Sequence, residues 1–193
     1  MDSVTPQELA WLTQAQRGDV NAFVQLVEAY KRPVYNLAYR MLGNATDAED
    51  ATQETFLRMY AKLHTYRPER KLASWVLSIA AHYCIDRLRR RRIPFVSLDD
   101  ESVELTSRQP LPEEVLLDGE ARGEVHALVA RLTPEYRAPV ILHYWYDLTY
   151  KEIAEVMGLT PQAVKTRLHR ARQQMAAKIE EPRPRRLEPA RVG

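Results

Sequence analysis

The residues whose types and spacing most clearly suggest a function lie near the end of the chain, around Gly158. Thr149 and Thr160 each precede an apolar helical repeat, where a hydroxyl can cap a helix, and Pro161 occupies the first position of the second repeat. Gly158 suits the left-handed end of the first helix. The pattern predicts a helix-turn-helix, whose facing apolar residues are Ile153, Val156, Met157, Val164, Leu168 and Ala171.

The outer face of the second predicted helix carries groups that can bind DNA. Side chains that can hydrogen-bond to base edges in a major groove are Gln162, Lys165, Thr166, His169 and Arg170. Arg167 and Arg172 lie beside them, where cations can pair with phosphates. The alternative is a basic helix that is merely solvated. The caps, the turn and the charge together favour DNA binding.

Composition excludes several other classes of protein. The chain has 193 residues, of which 45% are hydrophobic, and a net charge of +2 that results from blocks of opposite sign. Its single cysteine, Cys84, cannot form an intramolecular disulfide, which fits a reducing cytoplasm. We expect no signal peptide, no membrane insertion and no cofactor. His82, Cys84 and Asp86 do not suggest a metal site, because helical residues two apart point to different faces.

The first half of the chain predicts a bundle of amphipathic helices. We expect helices over 6–17, over 22–42 with a kink at Pro33, and from a cap at Thr46 or Asp47 onward. The third helix has an apolar side that includes Phe56. Its outer face is predicted to be an acidic and amide patch, formed by Asp47, Asp50, Gln53 and Glu54. Such a patch is either a binding site or a solvated surface.

A basic and aromatic segment follows this helix. Tyr66 lies among basic residues of the 64–71 loop, and a fourth helix, predicted over 73–92, begins near Trp75 and ends in an arginine run that includes Arg87. Rings that stack on bases beside cations that follow a backbone are typical of single-stranded nucleic acid sites. For Trp75, core packing is an equally good interpretation.

The remaining chain predicts a second helical domain after a linker. Residues 94–112 are rich in proline and acids, and the tail 181–193 is rich in proline and arginine, so neither is expected to fold. Between them we expect helices at about 113–131, 134–146, 149–157 and 160–178, with a core of Val140, Ile141, Tyr144 and Trp145. The predicted fold is all-α, with two small helical domains at 1–93 and 113–180.

Three segments in this order resemble the extracytoplasmic-function (ECF) group of bacterial RNA polymerase sigma factors. They are DAEDATQETFLR at 47–58, SWVLSIAAHYCIDRLRR at 74–90 and the helix-turn-helix at 150–172, within a similarity that covers about 22–178. The resemblance implies that domain 1–93 binds core RNA polymerase and melts the −10 element, while domain 113–180 reads the −35 element. It also implies that the acidic linker threads toward the polymerase active site.

Individual residues acquire expected roles from this resemblance. The polymerase-binding residues would be Asp47, Asp50, Gln53, Glu54 and Phe56. The −10 DNA-binding residues, which capture a flipped base, would be Tyr66, Arg67, Arg70, Lys71, Trp75, His82 and Arg87. Lys165, Thr166 and Arg170 match the base-reading positions for the −35 element, supported by Gln162, Arg167, His169 and Arg172. His82 departs from the family, in which many members carry Asn, whereas Asp86 matches.

The sequence therefore predicts a cytoplasmic, non-enzymatic initiation factor whose partners are core RNA polymerase, promoter DNA and an anti-sigma factor. No small-molecule substrate is expected. One rival is a dimeric helix-turn-helix regulator that binds operator DNA without polymerase, which would need a dimer face or a ligand pocket. The other is an enzyme acting on nucleic acid, for which the sequence offers no metal-ligand spacing and no nucleophile with a base.

Overall fold

The computed structural model describes residues 5–67, 70–92 and 119–180, and all their regular elements are helical. The first four helices are α1 (Pro6–Gln16), α2 (Val20–Leu42), α3 (Ala45–Lys62) and α4 (Leu72–Arg92), with a 3₁₀ turn at Leu63–Thr65. The second four are α5 (Gly119–Ala130), α6 (Pro134–Tyr144), α7 (Tyr150–Met157) and α8 (Pro161–Glu180). The predicted linker 94–112, residues 113–118 of a predicted helix and the tail 181–193 lie outside the described residues.

Short polar side chains fix where the N-terminal helices begin. Thr5 and Glu8 form a reciprocal capping box at the start of α1, and Asp19 accepts hydrogen bonds from two backbone N–H groups at the start of α2. The start predicted for α3 at Thr46 or Asp47 is wrong. Asn44 caps this helix by accepting a hydrogen bond from the Asp47 N–H, because an extended residue before Ala45 places its side chain over the first turn.

Helices α2, α3 and α4 form the N-terminal bundle, with α1 packed on α2. The apolar stripe of α2 runs unbroken through Pro33 and buries Leu26, Leu37 and Met41. Met59 of α3 and Leu77 of α4 complete the centre of this core. The helical period predicted for these segments is thus confirmed, and its consequence is that the opposite faces of α3 and α4 are presented outward.

The C-terminal helices pack around α6, α7 and α8. Val140 and Ile141 are buried as predicted, but Tyr144, which was expected in the core, is 54% exposed. Tyr144 lies at the last position of α6, where the helical period has turned its side chain away from the core. Trp145 is half-buried, and its ring centroid lies 5.2 Å from that of His126.

The two helical groups pack directly on each other, through α4 against α7 and through α2 and α4 against α6. Lys71 Nζ lies 2.6 Å from Glu152 Oε1, and Arg89 Nε lies 2.8 Å from Glu135 Oε1. The Tyr146 hydroxyl donates a hydrogen bond of 2.5 Å to the Pro33 carbonyl. The two predicted helical domains are therefore in direct contact in this structure, which the sequence did not indicate. None of the described helices is long and apolar enough to cross a membrane.

Candidate functional site

The helix-turn-helix forms as the caps predict. Thr149 and Glu152 make a reciprocal capping box at the start of α7, and Gly158 ends this helix with a left-handed φ of 65°. The Thr160 hydroxyl accepts a hydrogen bond of 3.2 Å from the Ala163 N–H at the start of α8. Six apolar side chains join the two helices and are buried: Ile153, Val156, Met157, Val164, Leu168 and Ala171.

This packing turns the basic side of α8 outward. Six of the seven predicted −35 residues are exposed, namely Gln162, Lys165, Thr166, His169, Arg170 and Arg172, while Arg167 is half-buried. The Thr166 hydroxyl donates to the Gln162 carbonyl at 3.0 Å, which fixes its rotamer. No aspartate or glutamate occurs between Pro161 and Ile179. The exposed face therefore carries a positive potential suited to the DNA backbone.

The predicted polymerase-binding residues of α3 divide into two groups. Asp50 and Gln53 are exposed, and the half-buried Glu54 accepts a hydrogen bond of 2.7 Å from Arg58 Nε. Asp47 and Phe56, in contrast, are buried at 6% and 8% exposure. Phe56 thus lies on the apolar side of α3, as predicted, but the expectation that Asp47 lies on the outer patch is wrong, because Arg87 and Arg91 of α4 cover its carboxylate.

Asp47 is instead the centre of an ion-pair cluster between α3 and α4. Its carboxylate accepts hydrogen bonds from the Asn44 amide at 2.5 Å, from Arg91 Nη2 at 2.6 Å and from Arg87. Burial alone would raise the pKa of Asp47, but Asn44 and the two guanidinium groups outweigh it and lower this pKa. Arg87 also donates to the Tyr83 hydroxyl at 3.0 Å. Arg87, predicted to bind −10 DNA, is therefore tied into the protein.

The predicted −10 segment offers one ring and several cations. Tyr66 is only 5% exposed and its hydroxyl donates to the Arg70 carbonyl, so this ring is part of the core and cannot stack on a base. It supports Trp75, whose half-buried ring lies 5.0 Å away between centroids. Arg67, Arg70 and His82 are exposed, whereas Lys71 pairs with Glu152.

Two exposed apolar residues beside the acidic patch escaped the sequence prediction. Leu57 and Tyr60 are 66% and 53% exposed and continue the outer face of α3 from Gln53 at helical spacing. The Tyr60 ring packs edge-on against Phe23 of α2, with centroids 4.9 Å apart. Leu57 and Tyr60 lie four and seven residues after Gln53, and this helical spacing could have predicted that they share its exposed face. Together with Asp50 they make a mixed polar and apolar surface of the kind found in protein interfaces.

The chain is all-α and combines a helix-turn-helix, whose basic face is exposed, with a helical bundle that has exposed cations beside a tryptophan. These features are typical of DNA-binding transcription proteins. Two family models match the chain, Sigma-70 region 2 over residues 26–93 and Sigma-70 region 4 over residues 122–175. The chain is 32% identical over 177 residues to the ECF RNA polymerase sigma factor SigW of Bacillus subtilis, and the alignment covers 87% of this chain and 94% of SigW. This chain belongs to the ECF sigma factors.

Further comparisons agree with this family. SigE of Mycolicibacterium smegmatis, also an ECF sigma factor, is 36% identical over 152 residues, which are 78% of this chain and 59% of SigE. The fold is shared with RpoE of Bartonella quintana, solved with the anti-sigma factor NepR, at a TM-score of 0.66, 20% identity and coverage of 85% and 100% of the two chains. It is also shared with CnrH, solved with the cytosolic domain of CnrY, at 0.64, 23% identity and coverage of 90% and 97%.

Proposed function

We propose that this sigma factor reads the −35 promoter element with the exposed face of α8. The observation that carries the proposal is the outward placement of Lys165, Thr166 and Arg170 on α8, which Thr160 caps and a buried apolar seam joins to α7. A recognition helix inserts such side chains into the major groove, where lysine and arginine pair with guanine edges. Arg167 and Arg172 flank the face and are assigned to phosphates, with Gln162 and His169 as supporting contacts.

The −10 element is assigned to the segment around Trp75. Its half-buried ring offers a stacking face for an extruded base, and Arg67, Arg70 and Lys71 offer charge to the adjacent phosphates. His82 is exposed and its Nδ1 lies 2.7 Å from the Ser78 carbonyl, which leaves Nε2 to face a base. Tyr66 and Arg87 are assigned supporting roles, since Tyr66 packs behind Trp75 and Arg87 holds α3 to α4.

We assign the binding of core RNA polymerase to the outer face of α3. Asp50, Gln53 and Glu54 supply polar contacts there, and Leu57 and Tyr60 supply exposed apolar area. Interfaces combine a small apolar centre with a polar rim, so these residues form a continuous candidate surface. Asp47 and Phe56 would act only indirectly, by shaping α3.

The cellular setting follows from these roles. The proposed factor works in the cytoplasm, leaves the chemistry to the polymerase and is not itself an enzyme. An anti-sigma partner is part of the proposal, since RpoE and CnrH were solved with NepR and with the cytosolic domain of CnrY. The alternative of a dimeric regulator that works without polymerase receives no support from the family to which the chain belongs.

Polymerase binding is tested with D50K and L57D, each compared with the control E155K on the exposed side of α7. Charge reversal or a buried carboxylate at an interface costs several kcal/mol, so we expect D50K and L57D to weaken binding to core polymerase at least about tenfold. E155K should bind as the wild type does. Wild-type affinity in both α3 variants, with native circular dichroism, would remove this face from the polymerase interface.

A further inference from the structure

His82 lies on the same face of α4 as Trp75, to which the proposed function assigns the extruded base. The two residues are seven positions apart, which is two helical turns, and His82 is exposed while the Trp75 ring is half-buried. The contact of 2.7 Å between His82 Nδ1 and the Ser78 carbonyl directs the imidazole one turn back toward Trp75. A base that stacks on Trp75 therefore presents its edge toward this imidazole.

The partner of Nδ1 determines what the other ring nitrogen of His82 offers to a base. A carbonyl oxygen only accepts hydrogen bonds, so Nδ1 carries the proton in the contact with Ser78. In a neutral imidazole a single nitrogen is protonated, and Nε2 is then an acceptor. An asparagine at this position would behave differently, because its amide offers both a donor and an acceptor.

Two neighbours on the same face of α4 also offer only acceptors. The Ser78 hydroxyl donates to the Trp75 carbonyl at 2.7 Å, so its oxygen is left to accept. Asp86 lies one turn beyond His82 and is exposed, and a carboxylate only accepts. Ser78, His82 and Asp86 thus form a row of acceptors that begins one turn after Trp75.

Bases differ in whether their Watson–Crick edge can satisfy an acceptor. Adenine, cytosine and guanine each carry an exocyclic amine that donates hydrogen bonds, and thymine carries none. The N3–H group of thymine is a donor, but it lies between two carbonyl oxygens that would face the lone pair of Nε2. An acceptor nitrogen therefore favours the three amine-bearing bases over thymine.

We propose that His82 makes this sigma factor select a base with an exocyclic amine, and reject thymine, at the −10 position that is extruded onto Trp75. The proposal rests on the assignment of Trp75 and His82 to −10 DNA in the proposed function. The exposed Arg67 and Arg70 are assigned to phosphates, which are the same in every nucleotide, so they do not supply this selectivity.

Selection by the holoenzyme from randomised DNA tests the proposal for a promoter of unknown sequence. Core RNA polymerase is reconstituted with the full chain as the wild type, H82A, H82N, W75L or H64N. Duplex DNA randomised across the length of a promoter is sequenced after binding at pH 8, where imidazole side chains in water are neutral. W75L keeps apolar bulk but removes the stacking ring. H64N is the matched control, because His64 is an exposed histidine of the 3₁₀ turn to which no DNA contact is assigned.

We expect one −10 position at which the wild type and H64N disfavour thymine, and at which H82A and H82N accept it more readily. The contact is then measured by removal of the amine from the preferred base at that position, on the non-template strand of a premelted template. Purine replaces adenine, 2-pyrimidinone replaces cytosine, and hypoxanthine replaces guanine. The wild type and H64N should lose about fivefold in affinity, as expected for one neutral hydrogen bond, and H82A should lose less than about twofold.

The outcomes separate this proposal from the assignment on which it rests. A preference of the wild type for thymine at the position that responds to H82A would overturn the proposal, and so would an equal cost of amine removal in the wild type and H82A. A position that responds to W75L but not to H82A would also overturn it, while supporting the assignment of Trp75 to −10 DNA. No response of any −10 position to W75L or H82A would instead overturn the −10 assignment itself.

Discussion

Substitution of Asp47 by asparagine separates a structural role for this residue from a role in polymerase binding. Asparagine has nearly the same shape as aspartate but carries no charge, so it removes the ion pairs with Arg87 and Arg91 and leaves the backbone contact of α3 with Asn44 in place. D50N on the same helix is the matched control, because Asp50 is exposed and its only ion pair among the described residues is the longer contact of 3.3 Å with Arg87.

The size of the effect follows from the burial of the three side chains. Breaking a fully buried ion pair by removal of one partner costs about 3–5 kcal/mol. The Asp47 side chain is 9% exposed, but those of Arg87 and Arg91 are 25% and 51% exposed, so water can solvate the guanidinium groups that lose their partner. We therefore expect D47N to lower the free energy of unfolding by about 2 kcal/mol and D50N by less than about 0.5 kcal/mol.

The difference in unfolding free energy between the wild type and D47N should also depend on pH, which provides a second test. The native pKa of Asp47 is lowered, so its ion pairs contribute fully above the unfolded-state pKa of about 4 and lose their contribution as the pH falls through the lower native value. D47N lacks the titrating group. The difference in unfolding free energy between the wild type and D47N should therefore be constant near neutrality and shrink below about pH 4.

Urea unfolding followed by circular dichroism, at several pH values, measures both quantities, and polymerase affinity is measured on the same samples at neutral pH. The structural assignment predicts that D47N is less stable than D50N while it stays folded and retains polymerase binding. Wild-type stability of D47N, combined with a specific loss of polymerase affinity, would refute the reasoning and return Asp47 to the interface.

Three further predictions concern the helix-turn-helix. Alanine at Lys165 or Arg170 should cost about 1–3 kcal/mol on the matched −35 element and relax discrimination against mismatched ones. Alanine at Arg167 or Arg172 should weaken all DNA alike and lower the salt slope by about one, and binding across a salt series tells the two kinds of defect apart. T149A should lose about 1 kcal/mol of unfolding free energy because it removes the cap of α7, while T149S should retain it, as measured by denaturant unfolding.

Local chemistry explains which features could be predicted from the sequence. The caps at Thr149 and Thr160 and the left-handed Gly158 depend on residues within one helical turn, and all three formed as predicted. Asp47 was misplaced because the arginines that bury it lie 40 and 44 residues away on another helix. Tyr66 was misplaced for a similar reason, since the ring of Trp75, packed against it, belongs to α4. A helical period identifies the outward face of a helix, but not whether another helix covers it.

The packing of the two helical groups also depends on residues that lie far apart in the sequence, and the cations in and next to α4 divide between contacts within one group and contacts between the two groups. Arg87 and Arg91 of α4 are held by Asp47 within the N-terminal bundle, so they remain paired whether or not the groups separate. Lys71 and Arg89 are held by carboxylates of the other group, Glu152 and Glu135. The first kind of ion pair therefore stabilises one helical bundle, whereas the second kind joins the two groups, and neither could be assigned from the spacing of charges along a single helix.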